Sequence, residues 1–516
     1  MNVMRKILIL CLVLAWGVTG CYEDKGDYDY KTLAQISIGN IRNSYTLIVG
    51  DTLKIEPEIA VDIEAEVGLK YKWTIEFDSL FSNKRDIEYI IPVDAPKEMK
   101  LVLQVSDTLS GLTFMTQTIV RVNPLYSDAF IILSEKDGVS SLSALKRSYT
   151  GNYSEEDWDR FFYNIYEGIE GESLKGKPVQ IHLHDLGTGT DQHMMLLQDD
   201  FNECMDLDAD NLKKSLELPK EFQVVPQNAN LKQAFFSSWY SYLLDEDGRV
   251  FSRKNFSSEA FHTGYFSSYP LVFMEPDAVG NETAHQLKVD RFVYDMNNQS
   301  GFVFVYEKEK NRFLYLYGSS SYGTIGIPYC ANYPSGFIPL DDLGNNELIA
   351  TSGYWWKDYY YSAGGLYNII KRADGSYVGQ MFHTDDPTAI EAVVQRKFNG
   401  SMMNDNILLL IPDDGQGRFV TCPYAFIASG NVLYYFDKNE NTDQEIVPKR
   451  YYEFPAEITA MEDEFYSNEY LCVGLANGEV YLLKINGSGF TSQEQDRVVL
   501  KMTENVGRVK SIIYRQ

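Results

Sequence analysis

The residues best equipped for chemistry gather between positions 180 and 220. His182-Leu183-His184-Asp185 alternates in strand fashion, so both imidazoles share one face of an extended segment. His193 lies across the turn that must follow. Imidazole nitrogens with a carboxylate form a donor set that can hold zinc. This spacing matches no specific metal motif, however, and polar strand residues beside a turn account for it equally. Asp206, Asp208, Asp210 and Glu217 stand at the first, third, fifth and twelfth places of an EF-hand-like loop. Asn211 occupies the place where that loop needs Gly, and Lys213 and Lys214 add positive charge. An acidic start to a short helix over 208–216 explains the pattern as well. The reading is therefore no metal and no cofactor, with His182, His184, Asp206, Asp208, Asp210 and Glu217 as the weak candidates.

A second group of residues suits binding. Tyr354-Trp355-Trp356-Lys357-Asp358-Tyr359-Tyr360-Tyr361 packs aromatics so densely that one core cannot receive them all. Exposed rings offer apolar faces with polar edges, which suit sugar rings or peptide side chains. Tyr354, Trp355, Trp356, Tyr359 and Tyr360 are the leading candidates. Trp239 and Tyr240, with Tyr242, form a smaller cluster, and Tyr265, Phe266 and Tyr269 another. Packing between sheets is the competing role for all of them. No HExxH, GxSxG, P-loop or GxGxxG pattern occurs, so no catalytic residue is assigned. A carboxylate pair for glycoside hydrolysis is defined in space and cannot be read from sequence.

The elements that must position these residues begin with a removable leader. Arg5 and Lys6 precede an apolar run, Ile7 to Trp16, too short to span a bilayer. Val18-Thr19-Gly20-Cys21 resembles the bacterial lipobox, which makes residues 1–20 a signal peptide and Cys21 the lipidated first residue. Two or three acyl chains at Cys21 would anchor the chain, since a single chain binds only marginally. Formal net charge is −27, and removing Arg5 and Lys6 with the leader makes it −29. No basic footprint for nucleic acid exists. Cys204, Cys330, Cys422 and Cys472 are far apart, which suggests single buried thiols.

Residues 21–33 read as an acidic tether, and 34–123 as short alternating strands with turn signals, the pattern of an immunoglobulin-like sandwich with Trp73 in its core. Over 124–516 a hairpin recurs at spacings of 48–66 residues, with second strands near Val139, Met195, Val250, Phe313, Leu366, Val432 and Val480. That repeat predicts a seven-bladed β-propeller, which the strand Val509 to Tyr514 could close against the first blade. A helix is predicted from the capping box Ser154 to Asp157, with Trp158, Phe161, Phe162 and Ile165 on one face. The expected fold class is all-β throughout.

The segment Cys21-Tyr22-Glu23-Asp24-Lys25-Gly26-Asp27-Tyr28-Asp29-Tyr30 resembles the start of the PKD-like family of Bacteroidota surface lipoproteins. The Gly50-Asp51 turn, Trp73 and Val105-Ser106-Asp107 are similar to a PKD-type domain, and Phe130 to Gly138 resembles the family's following segment. Ala129-Phe130 departs from the family's usual Gly-Trp. The resemblance implies a lipid-anchored outer-membrane protein on the cell surface, with Glu23 and Asp24 matching the phylum's surface-export signal. It further implies a non-catalytic accessory that captures an oligosaccharide or peptide at a SusC/SusD-like importer. A glycan-acting propeller enzyme and a purely structural importer subunit are the alternatives.

Overall fold

The computed structural model describes residues 35–515, apart from 62–67, 77–78, 93–94, 148–157, 159, 186–191, 238, 258–259, 277–278, 294–301, 359–360, 405, 413–422, 439–443 and 465–468. The leader, Cys21 and the tether lie outside the described residues. Among the described residues no helix is long and apolar enough to cross a membrane. Contacts divide the chain into two units, Met1–Asn123 and Pro124–Gln516.

In the first unit, alternating apolar residues build a sandwich. A five-stranded sheet runs in the order Ser44–Ile48, Thr113–Asn123, Glu98–Asp107, Leu69–Ile75, Ser79–Ser82. Trp73, Leu101, Leu103 and Val120 of this sheet pack with Leu53, Ile55 and Ile87 of a smaller one. Trp73 is fully buried, and its indole Nε1 donates to the Arg85 carbonyl at 3.1 Å, so the one polar atom of the ring is satisfied. Asp107 accepts from the backbone N–H groups of Gly68, Leu109 and Ser110, which fixes the turn at Ser110-Gly111.

The second unit is a succession of antiparallel meanders. Seven sheets of three or four strands occur among its described residues, plus a separate hairpin, Val272–Pro276 with Glu282–Gln286. The leading strands are Arg508–Arg515, Pro178–Asp185, Leu231–Phe236, Val289–Val293, Glu347–Asp358, Ile407–Leu410 and Ile458–Asp463. Each touches the next, and Ile458–Asp463 touches Arg508–Arg515. The C-terminal strand pairs with Ala129–Lys136, so chain end and chain start share one sheet. Both faces of the inner strands are covered, which is why strands such as Ala129–Lys136, Phe302–Glu307 and Tyr470–Leu475 read as nearly continuous apolar runs. Along Ala129–Lys136, Ala129, Ile131 and Leu133 enter the core shared with the second sheet, while Phe130 and Ile132 enter the core shared with the seventh.

The recurring hairpins each fall in a different sheet, but not at one position. They are the first two strands in the second and fifth sheets, and the second and third strands in the others. This explains their uneven spacing. Two expectations are corrected. Gly364-Gly365, just before Leu366, reads in the sequence as the hairpin's turn, but it lies within the strand Tyr361–Lys371, and Tyr354 opposite covers Gly365, where a Cβ would sit 2.4 Å from the tyrosine ring. The predicted helix from Trp158 to Ile165 is replaced by an edge strand, Arg160–Phe162, and a shorter helix, Ile165–Glu170. Strand alternation sends Phe161 and Phe162 to two different cores, which a single helix face could not do. The capping box 154–157 lies outside the described residues.

Candidate functional site

Adjacent strands of the second sheet bring three predicted residues together. His184 on Pro178–Asp185 pairs with His193 on Gln192–Gln198, and Asp206 follows on Met205–Asp208. Their side chains converge on the side facing the third sheet. His184 Nε2 donates to Asp206 Oδ2 at 2.8 Å, and His193 Nδ1 to Asp206 Oδ1 at 2.5 Å. One donor atom from each of the three lies within 4.8 Å of the others. The ring of His184 stacks on Phe236 at 4.0 Å, and that of His193 on Phe261 at 3.8 Å.

Three further groups complete the cluster, and none was singled out from sequence. His262 points Nε2 at Asp206 Oδ1, 3.9 Å away, and hydrogen-bonds Glu221 through Nδ1. Glu221 is paired with Arg253 at 2.8 Å. Asp206 and Glu221 are each 1% exposed at the side chain, whereas His193 and His262 are 14% and 21% exposed, so the cluster opens on the histidine side. Burial alone would raise the Asp206 carboxyl, but the charges and hydrogen bonds of His184 and His193 hold it at about 2. Burial pushes the His184 imidazole below its ordinary value. His262 moves up despite burial, because Glu221 and Asp206 favour its charged form.

The other weak metal candidates disperse. His182 shares the face of His184 and stacks on Phe236 at 5.8 Å, with burial pushing it to about 3. No calcium loop forms, and no helix spans 208–216. Asp206 sits inside a strand, Asp208 caps the turn by accepting from the N–H of Asp210 and Asn211, Asp210 pairs with Arg515, and Glu217 pairs with Lys214 and Lys220. The loop is spent on structure because Lys214–Glu217 is itself a strand.

The aromatic candidates divide. Tyr354 is 1% exposed, and its hydroxyl donates to the Phe382 carbonyl at 3.1 Å, so it is a core residue rather than a platform. Trp355 and Trp356 continue the same strand, while Tyr359 and Tyr360 lie outside the described residues. Trp239 is half-buried just before the strand Tyr240–Asp245. Tyr240 is half-buried too and stacks with Tyr242 at 6.0 Å. Its ring lies over Gly318 and Gly323, where a Cβ would come within 2.1 and 2.8 Å. A groove of about 460 Å³ opens beside it, lined by Val272, Phe273, Met274, Leu316 and Ile325 among others. Val272 and Met274 are about half exposed. Of the third cluster, Phe266 is buried while Tyr265 and Tyr269 are exposed. Cys204, Cys330 and Cys472 are free thiols, and Cys422 is outside the described residues.

Residues 21–178 match the model of the PKD-like family, so the chain carries a PKD-like domain. The match continues past Asn123 into the first sheet of the second unit. No curated protein matches the chain. Similar solved structures include a quinonprotein alcohol dehydrogenase-like protein from Bacteroides thetaiotaomicron, at 13% identity over 93% of this chain and 98% of that one, TM-score 0.41. Others are the beta-propeller domain of Cps50 (Swd1) from Myceliophteria thermophila, at 9% identity over 65% and 91%, TM-score 0.36, and BamB from Moraxella catarrhalis, at 11% identity over 73% and 89%, TM-score 0.32. These likenesses are distant; the propeller-like architecture rests on the sheet order and the shared cores.

Proposed function

We propose that this chain is a lipid-anchored outer-membrane protein, exposed at the cell surface, whose closed seven-bladed propeller captures an oligosaccharide or peptide for a SusC/SusD-like importer without transforming it. The observation that carries the capture role is the groove beside Tyr240, where aromatic and aliphatic side chains remain open to solvent. Such a surface suits the apolar face of a sugar ring or a peptide side chain. None of the groove's described lining residues is Asp or Glu, so the paired carboxylates of glycoside hydrolysis are lacking there. The lipobox ending at Cys21 supports the anchor, and the acidic tether supports surface export. The run of contacts from Arg508–Arg515 through each leading strand to Ile458–Asp463 supports ring closure and the count of seven.

Detergent extraction of the native outer membrane, followed by mass spectrometry of co-purifying proteins, tests the reading. Stoichiometric recovery of an importer pair is expected, together with loss of membrane association in Cys21→Ala. Recovery of the chain alone would overturn the importer role. Cleavage of an oligosaccharide by the purified protein would replace capture with catalysis.

A further inference from the structure

We propose that His184 Nε2, His193 Nδ1, His262 Nε2 and one oxygen of Asp206 form a four-ligand site for a divalent transition metal, with zinc as the ion that best fits three imidazoles and a carboxylate. The ligands come from the second sheet and from the loop after the strand Val250–Lys254 of the third.

The second shell carries the argument furthest. The Glu221 carboxylate holds His262 through Nδ1 and so turns Nε2 toward Asp206. Nε2 stands 3.9 Å from Asp206 Oδ1 and is hydrogen-bonded to the Ser215 hydroxyl at 3.4 Å. Three imidazole nitrogens thus approach one buried carboxylate, a donor set that suits a transition-metal ion. A ligating histidine whose other nitrogen is held by a carboxylate is the usual outer arrangement of zinc sites, and here Arg253 holds that carboxylate in turn.

The backbone adds an independent sign: His262 is held in the left-handed region at φ 58°. A non-glycine residue keeps that conformation only where its surroundings impose it, and such residues gather at functional sites. One donor atom each of His184, His193 and Asp206 lies within 4.8 Å of the others, and His262 Nε2 stands 3.9 Å from Asp206 Oδ1; zinc bonds of 2.0–2.1 Å set tetrahedral donors ~3.3 Å apart, so loading draws the four groups together. Loading leaves every imidazole neutral, its single proton on the nitrogen turned away from the ion. Phe236 and Phe261 already clamp two of the ring planes.

Four protein ligands make a closed holding site rather than a catalytic one with an open position. The experiment is zinc analysis of the full-length lipoprotein in detergent, stripped with a chelator and reloaded with equimolar zinc. One zinc per chain is expected, and cobalt(II) in its place should give the intense visible absorption of tetrahedral nitrogen-oxygen coordination. His193→Ala and His262→Ala should each weaken zinc binding at least about tenfold, and Glu221→Gln by about tenfold to a hundredfold. His285→Ala, a histidine remote from the cluster, should bind as the wild type does. Failure of the wild-type protein to retain zinc, a pale octahedral cobalt spectrum, or wild-type affinity in His262→Ala would each overturn the four-ligand site. The wild-type spectra require no variant to fold.

Discussion

Among the described residues of the propeller-like unit, two histidine–carboxylate clusters are built in opposite ways. In the first, Arg253 pairs with Glu221, while three imidazoles gather around Asp206. In the second, Glu275 and Glu307 face His285 at 3.2 and 3.3 Å, and the chain supplies both cations itself. Arg312 bridges Glu275 and Glu307, and Lys310 adds a contact to Glu275. Two acids met by two bases leave no charge for an ion to balance. One imidazole between two carboxylates is a linker, whereas three imidazoles around one carboxylate are a ligand set. The same residue types therefore make a structural knot in one place and a candidate metal site in the other, and the deciding quantity is the number of imidazoles gathered around one carboxylate.

The comparison can be broken most severely at its arginine. Arg312→Met strands Glu307, 2% exposed at its side chain, without its cation. Loss of a buried partner costs about 3–5 kcal/mol, which urea unfolding of the full chain should register, while zinc content stays unchanged. A smaller effect separates the clusters from the other side. With zinc at a hundred times its dissociation constant, chelation should remove about 2.7 kcal/mol of stability, visible as a lower thermal midpoint. The same chelator should do nothing to a chain carrying His193→Ala and His262→Ala.

Acid should sharpen the contrast further. Burial favours the neutral form of Glu275, but hydrogen bonds from Arg312 and Lys310 outweigh it and hold the carboxyl at about 2, against an ordinary 4.5. In the unfolded chain this group takes up its proton near 4.5, so between pH 4.5 and 2 the unfolded state binds more protons and stability falls as pH falls. The contribution is complete above pH 4.5 and gone below about 2. Solvent screening reduces it to about 1 kcal/mol. Unfolding measured at pH 5.5 and pH 3 should show the larger part of that loss in the wild type and a flatter profile in Glu275→Gln. The smallest effect belongs to His285. Because Arg312 already satisfies both carboxylates, His285→Ala should shift unfolding stability by under about 1 kcal/mol.

Much of the framework was legible in the chain order. Alternation and turn residues predicted the sandwich of the first unit, with Trp73 at its centre, and the recurring hairpins predicted repeated sheets. These signals are local: side-chain period and turn chemistry act within a dozen residues. The shared face of His182 and His184, and the place of His193 across the turn, follow from the same period. Where one pattern served two environments, the reading failed. Phe161 and Phe162 resembled a helix face because two cores on opposite sides of a strand both need aromatics. Tyr354 read as an exposed platform because its cover, a glycine across the strand pair, is invisible until the register is known.

By itself, then, the sequence predicted the strand-rich character and the place of His193 across the turn from His184, since each depends on residues close along the chain. Only the tertiary structure decided that Asp206 serves those histidines rather than a calcium loop, and that Glu221, Arg253 and His262 join them. Those groups sit 15 to 56 residues beyond Asp206, on the third sheet and its flanking segments, and nothing in their local sequence marks them. A coordination set or a charge balance is a property of distances in space. It comes into being when two sheets, each unable to bury its apolar faces alone, pack against one another and carry their polar residues to the same edge.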